Sequence, residues 1–175
     1  METLYKKYIL DIETKPQEDL KEIYPKKDIS KMAIDTDYAD IVCIGLKELG
    51  KDPQLINDKQ LEELFKKRAV FITYNGKGFD IPLIIRYGIK KDLDLPYKEL
   101  RDMTKRYQTE WHIDLMEILC DYGKWKSLDE LLQIYLGISK KPIDFETATE
   151  EEIKEHCLED LVNTEKLYNK FNKLI

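Results

Sequence analysis

The chain has 175 residues, of which 42% are hydrophobic and 37% charged, and it carries a net charge of −6. That length predicts a single domain over residues 1–175 with a full core. No apolar run approaches the ~20 residues needed to span a bilayer, and the acidic balance argues against broad nonspecific binding to nucleic acid.

The first seven residues, Met-Glu-Thr-Leu-Tyr-Lys-Lys, carry an acid and no apolar stretch, so no signal peptide is expected. Cys43, Cys120 and Cys157 are widely spaced, odd in number and set in apolar patterns. They read as reduced core thiols of a cytoplasmic protein rather than as a zinc site or a disulfide framework.

Tyr8 to Thr14 reads as a strand whose side chains alternate between two faces. Tyr8, Leu10 and Ile12 fall on one face; Ile9, Asp11 and Glu13 fall on the other. Asp11 and Glu13 therefore project together and repel each other unless a cation lies between them. Hard carboxylate oxygens suit Mg²⁺ or Mn²⁺, but a solvated strand end is the alternative. One residue in five is acidic, so about seven acid-x-acid pairs are expected from composition alone.

Lys15 to Asp40 is polar and turn-rich, a long excursion with a short helix near Asp19 to Ile23, lying over the site or over a sheet edge. Ile41 to Leu46 reads as a buried strand, and a turn at Gly50 to Pro53 leads to a weaker strand at Gln54 to Asn57. Three consecutive strands with short turns suggest an antiparallel meander. Asp58 is expected to cap a helix whose inner face is Leu61, Leu64 and Phe65. Ala69 to Tyr74 follows as a strand parallel to the first.

Asn75 to Gly78 is a strand-to-helix turn, continued by a helix from Phe79 to Tyr87 with Pro82 tolerated in its first turn. A short helix is expected around Tyr97 to Met103, a short strand at Trp111 to Asp114, and a helix from Leu115 to Tyr122. Leu128, Leu131, Leu132, Tyr135 and Leu136 form the inner face of another helix, stopped by Gly137. Thr149 and Glu152 form a capping box for the last helix, which runs to about Lys173 with Ile153, Cys157, Leu161 and Phe171 inward. The whole is an α/β layered domain.

Two more acids stand where metal chemistry can use them. Asp80 lies in a first helical turn, where the dipole favours a carboxylate even without a metal. Asp160 lies inside the last helix beside Glu159, and a solvated helix face is its default reading.

Asp11-Ile12-Glu13-Thr14, Asn75-Gly76-Lys77-Gly78-Phe79-Asp80 and His156-Cys157-Leu158-Glu159-Asp160 occur in that order. Together they resemble the D-I-E-T, N-x-x-x-F-D and Y-C-x-x-D motifs of the DEDD exonucleases. The likeness is strongest to the 3′–5′ exonuclease domain of family B DNA polymerases and to a stand-alone subgroup related to it. Ile41 to Gly45, His112 to Met116 and Asp160 to Thr164 also look similar to that subgroup, so the likeness covers nearly the whole chain.

The resemblance implies a ribonuclease-H-like fold, with a mixed central sheet of antiparallel meander and parallel strands flanked by helices. It implies a metal-dependent 3′–5′ exonuclease acting on single-stranded DNA. Asp11, Glu13, Asp80 and Asp160 would hold two Mg²⁺ or Mn²⁺ ions, about 3.5–4 Å apart in such sites. Thr14, Asn75 and Phe79 would contact the substrate, although Asn75 also suits its own turn and Phe79 also suits a core. A proofreading role would require a polymerase or repair partner.

The chain departs from the pattern at His156, which stands where the motif has tyrosine, four residues before the last Asp. Residues four apart share a helix face, so His156 is expected to orient the attacking water and accept its proton; a passive surface histidine is the alternative. Asp114 reads as structural or supporting, and Lys77, Lys105, Arg106, Lys124 and Lys126 as phosphate contacts or a solvated face. Two other functions remain open: an exoribonuclease on the same fold, and a catalytically silent binding module.

Overall fold

Alternation along one strand decides the architecture. The computed structural model describes residues 5–145 and 147–175, so the reading of the N-terminus, which rests largely on residues 1–4, lies outside the described residues. Strand β1 (Lys6–Pro16) sends Leu10 and Ile12 into one apolar cluster and Ile9 into another on the opposite face.

β1 pairs antiparallel with β2 (Ala39–Glu48), and β2 with β3 (Gln54–Ile56). On its other edge β1 pairs parallel with β4 (Ala69–Thr73), and β4 with β5 (His112–Asp114). The sheet order is β3-β2-β1-β4-β5, the mixed sheet expected from the meander and the helical crossovers.

Between β1 and β2 lie two short helices, α1 (Glu18–Ile23) and α2 (Ile29–Ala33); the second, capped by Asp28, adds a helical turn to the stretch expected to hold one short helix. This excursion packs along the C-terminal half of β1 and leans on the next-but-one helix through an Arg86–Asp37 ion pair, beside which Lys90 of that helix pairs with Asp40 of β2.

One face of the sheet is covered by α3 (Asp58–Phe65), α4 (Asp80–Lys90) and α5 (Tyr97–Met103), whose Leu61, Leu64, Ile81, Ile84 and Leu100 pack with Leu10 and Ile12. The α3 cap is Asn57, not Asp58: Asn57 and Gln60 form a reciprocal capping box, and Asp58 is the first helical residue.

The other face is covered by α6 (Leu115–Leu119), α7 (Leu128–Leu136) and α8 (Glu150–Phe171). α6 stops three residues short of Tyr122 because Cys120 takes an extended conformation. Tyr135 is more exposed than its helical spacing implied, with its ring edge-on to Phe171 at 4.8 Å. Gly137 ends α7 in the left-handed conformation that glycine permits without a Cβ clash.

α8 lies across β1 and β2 and is fastened there by polar contacts. Lys47 Nζ pairs with Glu165 at 2.9 Å, and Lys7 Nζ donates to Tyr168 Oη at 2.7 Å. Gly45 permits the approach: a Cβ there would lie 2.6 Å from Cys157 Sγ and 2.9 Å from Leu161 Cδ1. No helix among the described residues is long and apolar enough to cross a membrane.

Candidate active site

Asp11 and Glu13 stand on the β1 face that α8 covers, opposite Gly45 and Cys43 of β2. The register between β1 and β2 shifts between Glu13 and Thr14. Such a bulge bends the strand and re-aims the side chains beside it, here at the end of the acidic pair.

α8 brings His156 and Asp160 to the same place, one helical turn apart. His156 Nε2 lies 3.6 Å from Asp160 Oδ2 and 3.9 Å from Glu13 Oε1. One donor atom from each of Glu13, His156 and Asp160 lies within 4.8 Å of the other two. His156 is no surface residue: its side chain is largely buried, and its ring meets Phe145 edge-on at 5.4 Å.

Asp80 opens α4 as its first residue and is buried. The turn before it is shaped by Asp114 at the end of β5. The Asp114 carboxylate accepts from the backbone N–H groups of Asn75 and Lys77, each at 2.9 Å, and of Met116 at 3.0 Å. These bonds hold Asn75 at φ 64°, a left-handed conformation rare for a non-glycine residue. Asp114 is therefore a supporting residue of this turn. Beneath it, Thr73 Oγ1 bonds to His112 Nε2 at 2.8 Å and accepts from the Gly76 N–H at 3.1 Å.

Burial dominates the electrostatics. It pushes the Asp11 carboxyl up to about 7, with the Asp160 charge adding to the effect. Burial, then Asp11 and Asp160, push Glu13 up as well; burial, then Asp11 and Asp114, do the same to Asp80. Burial raises Asp160 and lowers His156, which therefore favours its neutral form.

A close cation at the site is Lys140, which no local sequence pattern marks. Lys140, in the loop after α7, has a nearly buried side chain whose Nζ lies 2.5 Å from Asp160 Oδ1 and 3.0 Å from Asp129 Oδ1. Burial opposes its charge, but Asp160 and Asp129 outweigh burial and hold the ammonium above its usual value. The signal for it was absent from local pattern, since a lysine in a polar loop is ordinarily solvated.

The donor set fits a hard divalent cation. Asp11 Oδ2 is buried and has no hydrogen-bond partner among the described residues, a costly state that an ion would relieve. The interaction with Cys43 and then burial push the neighbouring Cys157 thiol up, which favours its protonated form, and its Sγ donates to the Asp11 carbonyl at 3.8 Å.

The other expected contacts are placed differently. Thr14 Oγ1 donates to Ala33 O at 2.6 Å, fixing α2. Phe79 is half-buried against the cluster on the opposite face of the sheet. Lys77 is buried in a 2.5 Å pair with Glu117 and donates to Gln108 O at 3.1 Å, so it serves the turn rather than a phosphate.

A family model described as a predicted 3′–5′ exonuclease related to the exonuclease domain of PolB matches residues 26–175. Among solved structures, the chain is similar to the family B DNA polymerase of the hyperthermophilic archaeon Pyrobaculum calidifontis, with a TM-score of 0.68 and 15% identity. The match covers 96% of this chain and 24% of that polymerase chain, so this chain spans about a quarter of its length. That likeness shows the fold, which is ribonuclease-H-like. No curated protein matches the chain.

Proposed function

The chain belongs to the family of predicted 3′–5′ exonucleases related to the exonuclease domain of PolB, and we propose that it is a metal-dependent enzyme removing nucleotides from the 3′ end of single-stranded DNA. Residues 1–175 are read as one exonuclease domain. The observation that carries this reading is the convergence of Glu13, His156 and Asp160, with Asp80 buried and the Oδ2 atom of Asp11 buried on adjoining elements.

In this reading Asp11, Glu13, Asp80 and Asp160 hold divalent ions, Mg²⁺ or Mn²⁺. Ions bound there supply Lewis-acid chemistry, lowering the pKa of an attacking water and stabilising negative charge on the leaving oxygen. His156, kept neutral by burial, accepts the water proton at Nε2. Lys140 holds Asp160 by Oδ1, leaving Oδ2 turned towards His156. Asp114 fixes the turn that presents Asn75 to the terminal nucleotide and leads into Asp80. A frayed 3′ end suits a site of this kind because a single strand enters a narrow cleft that a duplex does not.

The test is a 5′-labelled single-stranded DNA beside an RNA of the same sequence, each with Mg²⁺, Mn²⁺ or chelator. A ladder shortening from the 3′ end of the DNA, abolished by chelator, is the expected result. Cleavage of the RNA alone would move the assignment to an exoribonuclease, and intact strands with both metals would refute an exonuclease.

A further inference from the structure

The chain is acidic overall, yet one part of its surface combines exposed aromatic rings with cations. The guanidinium of Arg106 sits over the Tyr122 ring, 5.4 Å from its centroid, and Tyr122 meets Trp125 edge-on at 5.9 Å. Tyr107, Tyr122 and Trp125 are 73%, 74% and 46% exposed. Lys124 is exposed beside them in an ion pair with Asp121 at 3.6 Å, and Arg106 forms no ion pair among the described residues.

This patch is attached to the loop that leads into Asp80. Tyr74, next to Asn75, donates its hydroxyl to the carbonyl of Lys126. The buried pair of Lys77 and Glu117 reaches the other half, Lys77 through Gln108 O and Glu117 by accepting from the Tyr107 N–H at 3.0 Å. Cys120 and Leu128, which bracket the Tyr122–Trp125 segment, pack on the Ile9, Ile72 and Leu161 cluster. That is the face of the sheet towards which Asp11 and Glu13 point. The Tyr122–Trp125 part of the patch and the carboxylates therefore share a side.

We propose that Arg106, Tyr122 and Trp125 form a stacking platform for the nucleotides upstream of the 3′ end, holding a single strand while its terminus occupies the carboxylate site. The proposal rests on the exonuclease reading above and names where its substrate lies. Rings interleaved with cations fit a single strand: every base has a face to stack and every linkage a charge. A buried protein interface would instead be depleted of unpaired charge. The aromatic groups are sequence-tolerant, so the platform gives affinity and length dependence rather than sequence preference.

The experiment compares wild type with Tyr122→Ala/Trp125→Ala and with Arg106→Glu, an exposed substitution that leaves the fold intact if the double variant does not. Two substrates separate the questions: 5′-fluorescein-labelled dT16, followed by anisotropy in chelator and by KM with Mn²⁺, and the p-nitrophenyl ester of thymidine 5′-monophosphate, which has no upstream strand. The variants should bind dT16 roughly tenfold to a hundredfold more weakly, with KM raised in step and turnover of the ester within twofold of wild type. Wild-type binding of dT16 by both folded variants would overturn the platform, as would a loss of self-association as their only effect. If wild type hydrolyses neither substrate while the variants still lose dT16 binding, the exonuclease reading fails and the platform stands as a strand-binding surface.

Discussion

Lys140 Nζ and Asp160 Oδ1 lie 2.5 Å apart, joining the loop after α7 to the middle of α8 at a cluster that also holds Glu13 and His156. Both side chains are largely buried, so the pair is scarcely screened by solvent. Removing one partner of a buried pair costs about 3–5 kcal/mol because the other charge is left uncompensated. Lys140→Met should therefore lower the Tm of the metal-free protein by an amount on the order of 10 °C. Mn²⁺ should raise the Tm of the variant by more than that of wild type, since the ion takes over neutralisation of Asp160. Melts with and without Mn²⁺ that show no such difference would mean the lysine is a bystander.

His156 lies 3.6 Å from Asp160 Oδ2 and 3.9 Å from Glu13 Oε1. His156→Ala should reduce kcat about 10²–10⁴-fold with little change in KM, the loss typical of a missing general base. Single-turnover rates at saturating Mn²⁺ measure this. A variant as fast as wild type would leave the metal ions sufficient by themselves.

Folding draws protons onto Asp11, Glu13 and Asp80, whose carboxyls are raised by burial and by one another's charges. The folded metal-free chain then binds more protons than the unfolded chain, and its stability falls as pH rises. That loss begins near the ordinary carboxylate range and continues through the raised values, about 7 for Asp11. His112 acts oppositely at lower pH: burial lowers it to about 4, so its contribution is lost as pH falls below 6.5. Above pH 6.5 the carboxylates dominate. Thermal melts in chelator between pH 6.5 and 8 should show Tm falling, and Mn²⁺ should flatten the slope; a Tm rising with pH in chelator would contradict the burial of ionisable acids.

Gly45→Ala tests the seating of α8. The new Cβ would lie 2.6 Å from Cys157 Sγ and 2.9 Å from Leu161 Cδ1, so these side chains, or the helix that carries them, must shift. Overpacking of this kind costs about 1–3 kcal/mol. Because His156 and Asp160 flank those two residues on α8, activity should fall more steeply than stability. Equal activity in the folded variant would show that the cluster tolerates a shift of the helix.

Much of this was readable in the sequence, for identifiable reasons. The period-two pattern from Tyr8 to Glu13 assigned both faces of β1, and the Thr149–Glu152 capping box marked the start of α8, because both signals are local. The four-residue spacing of His156 and Asp160 placed them on one helix face for the same reason. Lys140 was not readable: it meets Asp160 through the tertiary path of a loop, which no periodicity encodes. Lys77 reads from the sequence as either a phosphate contact or a solvated face, and only the fold supplies Glu117 as its partner. Phe79 had two readings at one position, and its packing against the Leu10 cluster belongs to the core one.

The most direct measurement is the rate of nucleotide release from the 3′ end of single-stranded DNA by wild type and by Glu13→Gln, with Mn²⁺ binding to each followed by calorimetry. Glu13→Gln keeps the shape of the side chain and removes one acid from the cluster formed with His156 and Asp160. Wild type should release mononucleotides, with a fall of at least about 10²-fold in the variant and weaker Mn²⁺ binding in parallel. Release that continues unchanged in Glu13→Gln, with Mn²⁺ affinity intact, would place the chemistry somewhere other than this carboxylate cluster.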